Sequence, residues 1–508
     1  MSAASTENAS TPIFRETIEC FINGDHETVA GADAFETLSD YLRRRRGLTG
    51  TKIVCAEGDC GACSVMVGRC TNQSDSLNYM AVDSCIVFMH QLDGAHIVTV
   101  EGLGTPNDLS AVQQAMVDCH GSQCGFCTPG FVTTIQGLLE QCKQAALEST
   151  GASCVLDESD WRLGLSGNLC RCTGYVQIME AAQSITLEDV QSLNERYPPE
   201  AMIAHWNSMP STMVRIEAGD RTVFRPSCVE HAVEAKRTST RVRAVSGATD
   251  VGVQHNHGLL IGDVRLDLSG VDELRRVETE PDAILIGAAT TWSDVLHGIE
   301  SPFPDFADVI RRFGSPQIRN MGTFGGNLAN ASPIADSIPF LHAIDAVIRC
   351  VGPDGIRDVP VANFYVGYKQ TVLSDEELIH SIRLPLPTAG QHVKLYKISK
   401  RRDMDISTLA AAFSITLRDR QIVSASIALG GVGPTVVRVA SAERYLLDRE
   451  LSPQVMLEAG RIARDEITPI SDVRGSAHYR RQLTENLFMK CAYELESGMD
   501  DLPKGVAV

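Results

Sequence analysis

The stretch Cys55-Ala-Glu-Gly-Asp-Cys60-Gly-Ala-Cys63, followed later by Cys85, is the most informative in the chain. Three thiols spaced x4 and x2, with a distant fourth, form the plant-type pattern for a [2Fe–2S] cluster. Gly58 and Gly61 let the backbone fold around such a centre and turn N–H groups toward its sulfurs. A structural zinc site or unrelated cysteines would not call for that density of glycine. A second set, Cys124-x2-Cys127 with Cys170-x-Cys172, offers four more thiols. Its spacing is less specific, because a CxxC pair with a later CxC pair suits zinc as well as iron–sulfur. The first set favours iron–sulfur for the second, since an electron carrier commonly has a relay partner.

Working outward, residues 13–22 alternate and are rich in β-formers, and Asn23-Gly24 supplies a hairpin turn before a second strand. Phe35, Leu38, Tyr41 and Leu42 fall at helical spacing, and residues 64–67 read as a strand. From Asp108 the period turns helical: Val112, Ala115, Met116 and Cys119 share one face. Thr128-Pro129 reads as an N-cap with proline at N1, opening a helix that carries Val132, Ile135, Leu138, Leu139 and Cys142. Thr173 is expected to cap a further helix carrying Ile178, Ala182 and Ile185. The second cysteine set thus stands at two helix starts, whose positive ends favour thiolates. Residues 186–220 show little periodicity and read as a linker. Beyond them the texture is mixed α/β, with strands expected at 283–286, 346–351, 413–417 and 424–429 and a last helix over 482–495.

A chain of 508 residues suggests three or four domains, and 44% hydrophobic with 21% charged residues can fill several cores. A formal charge of −19 argues against nucleic acid as the main partner. The arginine run 43–46 reads as a solvated helix end. The first twelve residues lack the apolar segment of a secretory signal, and nothing approaches a membrane span of about 18 apolar residues. The expectation is a cytoplasmic protein, where thiols stay reduced. The remaining cysteines, Cys20, Cys70, Cys119, Cys142, Cys154, Cys228, Cys350 and Cys491, then read as small buried hydrophobes.

A third motif is Ser246-Gly247-Ala248-Thr249-Asp250, joined further on by Gly314-Ser315-Pro316 and Thr323-Phe324-Gly325-Gly326-Asn327. Small residues and glycines can turn successive N–H groups toward a phosphate, although neither GxGxxG nor a Walker A sequence is present. A phosphate-bearing cofactor and a pair of plain tight turns both remain open on these residues alone.

The cysteine motifs, with Gln123-Cys124-Gly-Phe-Cys127-Thr-Pro-Gly130 and Gly167-Asn-Leu-Cys170-Arg-Cys172-Thr-Gly174, closely resemble the molybdenum hydroxylase (xanthine oxidase) family. Gly325-Gly-Asn327, Ser332-Pro-Ile-Ala-Asp336, Lys397-Ile-Ser-Lys-Arg401 and Ser471-Asp-Val-Arg474 resemble its flavin half. The resemblance implies a multidomain α+β fold. Its parts would be a ferredoxin-like β-grasp [2Fe–2S] domain (13–98), a four-helix [2Fe–2S] domain (99–188) and a linker (189–215). An α/β FAD-binding domain of the vanillyl-alcohol-oxidase/PCMH type (216–388) and an α+β flavoprotein C-terminal domain (389–500) would follow.

It also implies roles. Cys55, Cys60, Cys63 and Cys85 would hold the cluster nearer the flavin, and Cys124, Cys127, Cys170 and Cys172 the one nearer a molybdopterin centre. Gln123 would reach that pterin in a partner chain. Ala244, Val245, Ser246, Gly247, Ala248, Thr249, Asp250 and Val251 would wrap the FAD diphosphate. Thr323, Phe324, Gly325, Gly326, Asn327, Asp336 and Ile379 would complete the site, Phe313 would lie on the isoalloxazine face, and Lys397 would approach the ring. Phe313 by itself is an apolar residue near a turn, of the kind more often found in a core. The loop 400–407 resembles the segment that influences whether NAD or oxygen reaches the flavin.

This sequence departs from the family at Val54, often glycine; at Asp250, often glutamate; and at Met404, which interrupts an acidic stretch. The chain has no room for the molybdopterin half, so that half and its catalytic carboxylate are expected on a large partner subunit, in a heterotetramer of two small and two large chains. The implied activity is electron transfer from purine oxidation to NAD. Relatives acting on aldehydes, carbon monoxide or N-heterocycles are alternatives, and a zinc-bearing scaffold or assembly factor is the non-enzymatic one.

Overall fold

The computed structural model describes residues 14–70, 75–148, 154–210, 212–260 and 264–496. Residues 1–13, which include the start of the expected first strand, and 497–508 lie outside the described residues. The chain divides into two compact units, Met1–Glu158 with Cys170–Asp272, and Ser159–Leu169 with Glu273–Val508.

The first unit opens with β1 (Thr17–Ile22) and β2 (Asp25–Ala30), joined at Asn23 and Gly24, both with positive φ as a primed hairpin turn requires. Helix α1 (Leu38–Arg44) follows, then β3 (Ser64–Cys70), β4 (Leu77–Asp83) and β5 (Ala95–Val98). The sheet order is β2-β1-β5-β3-β4, with β1 parallel to β5 and the other pairs antiparallel, a β-grasp. Helix α1 begins one turn later than Phe35, which sits instead on a 3₁₀ turn, because Thr37 accepts the Asp40 N–H and caps the helix. The arginines at its end are tied down locally: Arg44 pairs with Asp40, Arg45 with Asp33 and Glu36, and Arg46 with Glu27.

Helices α2 (Val100–Leu103), α3 (Ala111–Asp118) and α4 (Thr128–Glu148) follow, then α5 (Glu158–Gly164) and α6 (Val176–Gln183). Two expected caps differ. Helix α4 already includes Thr128, with the Cys127 carbonyl accepting from Phe131 N–H. Helix α6 starts after Tyr175, whose left-handed backbone (φ 71°) breaks the chain, so Thr173 Oγ1 meets the Tyr175 N–H and the Cys170 sulfur instead. Ile185 consequently lies beyond the helix end. Cys142 and Cys154, expected as free thiols, are joined in a disulfide with Cα atoms 5.5 Å apart. Cys70 is exposed, and Cys119 and Cys228 are half-buried, because each falls at an element's end. Cys20, Cys350 and Cys491 are buried as expected.

The expected linker contains two short helices, α7 (Leu193–Arg196) and α8 (Glu200–Ser208). Helix α7 is too short to show a period; its signal was the capping box of Ser192 and Glu195. Strands β6 (Val214–Ala218) and β7 (Arg221–Arg225), helix α9 (Val229–Thr238), β8 (Val242–Val245), α10 (Val251–Asn256) and β9 (Val264–Asp267) finish this unit in a sheet of order β6-β7-β9-β8.

The second unit holds β10 (Val277–Thr279), β11 (Ala283–Gly287), α11 (Trp292–Ile299), α12 (Pro304–Arg312), α13 (Pro316–Arg319), α14 (Phe324–Asn330) and α15 (Ser337–Ala343). Then come β12 (Val347–Gly352), β13 (Gly355–Pro360), β14 (Tyr365–Gly367), β15 (Gln370–Thr371) and β16 (Leu378–Pro385). Its first core gathers Trp292, Phe306, Phe324 and Phe340 against the sheet β10-β11-β16-β12-β13. A second core, around Phe413 and Phe488, fills the C-terminal part: β17 (Gln391–Ile398), β18 (Leu409–Arg418), β19 (Gln421–Gly430), β20 (Val437–Arg438), α16 (Ala440–Leu446), α17 (Pro453–Glu466) and α18 (Ala477–Glu496). Among the described residues no helix is long and apolar enough to cross a membrane.

Candidate cluster and flavin sites

The loop before β3 is turned by three left-handed residues, Ala56 (φ 57°), Gly58 (77°) and Gly61 (65°). Lys52 N–H donates to the Ala62 carbonyl and Ser64 N–H to that of Gly61, closing the loop onto the strand. Ser84 Oγ donates to the Cys63 carbonyl at 2.6 Å, which brings Cys85 up to the loop. Cys60, Cys63 and Cys85 are buried and Cys55 is half-buried. Their thiols converge: Cys55 reaches those of Cys60 and Cys85, and Cys85 reaches that of Cys63. Hydrogen bonds from Cys60 and Cys85, together with the N–H groups of Glu57 and Asp59, hold the Cys55 thiol far below its ordinary range. Cys60 and Cys85 are pushed up in turn, by sharing that site and by burial. Asp83, fully buried beside them, is pushed up to about 8 by burial and the Cys55 charge. Three buried sulfurs and a half-buried one, converging in a loop whose N–H groups favour the thiolate, are a donor set that a cationic iron–sulfur core would balance, so the residues fit a [2Fe–2S] cluster. Val54 is 60% exposed, so the position often held by glycine has room for its side chain.

The second set is assembled by the starts of α4 and α6. The Cys172 and Cys124 sulfurs lie 3.3 Å apart. Cys124 is lowered by the Phe126 N–H and by the Cys172 thiol. Burial pushes Cys170 up, but the Thr173 hydroxyl and the N–H groups of Thr173 and Cys172 outweigh it and bring it to about 7. Cys127 is pushed up to about 12, by burial and then by Cys170. This set also fits an iron–sulfur core. Unlike the first it is open: Cys124 and Cys172 are exposed, as are Gln123, Phe126 and Val176 around them.

The two sets are joined by backbone contact. A Cβ on Gly130, in the first turn of α4, would stand 2.1 Å from the Gly61 carbonyl oxygen. The helix leading out of the second set therefore rests on the loop of the first. On its other side, the first set meets the residues after β8. A Cβ on Gly252 would lie 2.4 Å from the carbonyl oxygen of Ile86, the neighbour of Cys85. Asn256 Nδ2 donates to the carbonyls of Ala56 and Cys85, both at 2.8 Å, and His257 Nε2 lies 2.7 Å from Glu57 Oε1. Gln91 Nε2 donates to the Ser246 carbonyl at 2.8 Å.

The residues proposed for FAD fall in both units. In the first, Ala244 and Val245 end β8, Ser246 to Asp250 form the turn, and Val251 opens α10. Ala248 is left-handed (φ 59°), and the Ser246 hydroxyl is buried without a hydrogen-bond partner, as expected of a turn that awaits an acceptor. In the second unit Thr323 caps α14 by accepting the Gly326 N–H. Gly325 packs against Ala288, where a Cβ would approach the carbonyl oxygen to 2.7 Å. Beside this turn the Thr290 hydroxyl is likewise buried and unpartnered. Phe313 packs edge-on to Trp292, with ring centroids 4.7 Å apart. Asn327 accepts from the Ser337 hydroxyl. The Lys397 ammonium is buried, with all three donors taken: Asp336 Oδ2 at 2.7 Å, the Asp405 carbonyl at 2.8 Å and Ser407 Oγ at 3.0 Å. Lys397 thus ties the loop 400–407 to the start of α15. Met404, which interrupts the expected acidic stretch, is left-handed (φ 53°) and donates its N–H to the Arg312 carbonyl. Ile379 lies in the sheet core opposite Cys350. Glycine-rich turns with orphaned buried hydroxyls fit a phosphate-bearing cofactor. Gln91, Asn256 and Thr290 were missed from sequence, since only the folded chain brings them to these loops.

Residues 20–87 match a 2Fe-2S iron-sulfur cluster binding domain and 99–183 a second [2Fe-2S] binding domain. Residues 216–387 match an FAD binding domain in molybdopterin dehydrogenase, and 394–495 a CO dehydrogenase flavoprotein C-terminal domain. The chain is 29% identical to xanthine dehydrogenase 1 of Arabidopsis thaliana, over 92% of this chain and 39% of that protein. It is 28% identical to xanthine dehydrogenase of Emericella nidulans, over 98% and 40%. The chain therefore spans about two-fifths of the curated relatives it matches. Among solved structures it resembles a carbon monoxide dehydrogenase chain from Hydrogenophaga pseudoflava, with TM-score 0.51 and 25% identity over 53% of this chain and 94% of that one. Quinoline 2-oxidoreductase from Pseudomonas putida 86, at 21% identity and TM-score 0.51, shares the fold.

Proposed function

From a chain that carries the two [2Fe–2S] domains and the FAD domains of molybdenum hydroxylases, an oxidoreductase family, we propose that it is the electron-transfer subunit of a xanthine dehydrogenase. In this reading a molybdopterin-binding partner oxidises hypoxanthine and xanthine to urate. The pair assembles as two small and two large chains in the cytoplasm, and NAD is the acceptor. When bound, the clusters carry electrons singly and FAD exchanges two of them for a hydride.

The observation that carries the reading is the unbroken line of contacts from the second cysteine set through Gly130 and Gly61 to the first, and from Cys85 and Ile86 through Gly252 and Asn256 to the turn 246–250. In this reading the chain's residues would hold two clusters and an FAD diphosphate in one sequence, with the exposed cysteine set facing the partner. The joining of cluster and flavin parts in one chain supports this reading: xanthine dehydrogenases align along 92–98% of this chain, whereas the carbon monoxide dehydrogenase chain, itself covered to 94%, corresponds to 53% of it.

The test is NAD reduction by the purified complex with xanthine, set against aldehydes, carbon monoxide and quinoline. Turnover with xanthine and hypoxanthine, and bleaching of flavin and iron–sulfur bands by NADH under anaerobic conditions, are expected. Turnover with another of these substrates alone would move the chain to a sister enzyme. A colourless protein holding zinc in place of iron would overturn the electron-transfer reading.

A further inference from the structure

On β1 the residues alternate: Ile18, Cys20 and Ile22 enter the core, while Thr17, Glu19 and Phe21 face the other way. The antiparallel register sets Glu19 opposite Thr28 and Phe21 opposite His26, so His26 stands diagonal to Glu19 on that outer face. Helix α8 from the connecting segment lies over it. The His205 ring meets that of His26 at a centroid distance of 4.4 Å, and both His205 and Trp206 meet the Phe21 edge at 5.7 Å. A ring nitrogen from each histidine and a carboxylate oxygen of Glu19 all lie within 4.8 Å of one another.

This cluster has more order than a surface ion pair needs. Both Glu19 oxygens are held by hydroxyls, Oε1 by Thr17 at 2.8 Å and Oε2 by Thr28 at 2.9 Å, which fixes the carboxylate. His26 Nε2 approaches Glu19 Oε2 to 2.8 Å. His205 Nε2 is buried and has no hydrogen-bond partner, so a polar atom beside a carboxylate and a second imidazole remains unsatisfied. Two imidazoles and an oriented carboxylate, with a fourth position left to water, are the donor set of a zinc-type ion. Ligands oriented by hydrogen bonds from neighbouring groups are the usual support of such a site.

We infer that Glu19, His26 and His205 bind a divalent transition-metal ion of the zinc type, which clamps helix α8 to the β1–β2 hairpin. The site is separate from both cysteine sets and does not depend on which substrate the partner oxidises. An ion about 2.0–2.1 Å from each donor needs donors about 3.3 Å apart, so the Glu19–His26 contact opens slightly while His205 closes in.

The experiment uses the purified complex with its iron in place. It is equilibrated with micromolar zinc, exchanged into metal-free buffer, and assayed for zinc and iron by mass spectrometry beside His26→Gln and His205→Gln. The wild type is expected to retain about one equivalent of zinc per chain, with iron unchanged, and each variant to lose it. Zinc is also expected to slow proteolysis within residues 189–215 of the wild type but not of His205→Gln. Retention of zinc by both variants, loss of iron as zinc is gained, or no retention by the wild type would each overturn the assignment. Because His26 is exposed, the His26→Gln variant is expected to keep the wild-type visible spectrum, which would show that it is folded.

Discussion

The two cysteine sites each gather four thiols, but in opposite surroundings. The first is roofed: Cys63 and Cys85 are 2% exposed, and α10 and Asn256 close over the loop. The second presents Cys124 and Cys172 to solvent, amid exposed Phe126, Leu169 and Val176. A relay needs one end insulated and one end approachable, and this chain divides those tasks between its two sites. Apolar residues around exposed ligands also mark the face where a partner would exclude water.

Removing a ligand gives the largest effect. Cys85→Ser is expected to cost the first cluster, reducing substrate-driven NAD reduction to background while NADH still bleaches the flavin; paired iron and EPR measurements check it. Loss of flavin bleaching as well would mean that the roof, and not the cluster alone, had collapsed. Next, exposure predicts order. A chelator under mildly oxidising conditions should remove iron from the isolated chain in two phases, with the EPR signal of the second site lost first. Simultaneous loss would erase the distinction between the sites.

Acid should reverse that order. His96 is buried in the β-grasp, accepting the Gly24 N–H at Nε2 and meeting the Tyr79 hydroxyl at Nδ1. Burial lowers its pKa to about 4, below the unfolded value near 6.5. The unfolded chain therefore takes up the proton first. The stabilisation is complete above pH 6.5 and is lost as pH falls toward 4, by about 3 kcal/mol in all. The second-site domain, residues 99–188, holds a single histidine, His120, which is exposed. Unfolding midpoints from pH 7 to 4.5, followed by circular dichroism, should fall less steeply in His96→Gln.

Much of this contrast was legible in the sequence, but unevenly. Cysteine spacing located both ligand sets because four thiols must converge from short loops, and Asn23-Gly24 marked its turn because few residues accept positive φ. Thr173 was misread because a local capping rule cannot anticipate the left-handed Tyr175. The helix α8 was passed over because Tyr197-Pro198-Pro199 hides its start. The roof was not legible at all: Asn256 meets Ala56 across 200 residues, and nothing near either one signals it.

Glycine substitutions sharpen the comparison at the seam between the sites. Gly130→Ala places a methyl 2.1 Å from the Gly61 carbonyl and should destabilise by about 1–3 kcal/mol. Gly137→Ala, two turns along the same helix, has the Met66 side chain and Ala81 Cβ as its nearest neighbours, at 3.2–3.4 Å. There the gain in helix propensity, about 1 kcal/mol, should offset the crowding. Equal destabilisation of both variants in urea would show that α4 does not bear on the first loop in particular.

The smallest effect tests the roof itself. Asn256→Ala removes two hydrogen bonds, leaving the carbonyls of Ala56 and Cys85 without that donor, at about 1–2 kcal/mol in stability. Fold and iron content should survive so modest a loss. What should change is the coupling across the seam: with Asn256 gone, the backbone that presents Cys85 is held to the segment 246–256 chiefly through Gly252 and Gln91. Stopped-flow spectra with NADH should then show flavin bleaching at its normal rate and iron–sulfur bleaching delayed behind it. If both bands still bleach together, the Gly252 contact alone fixes the approach of the two sites, and Asn256 contributes stability without setting the rate.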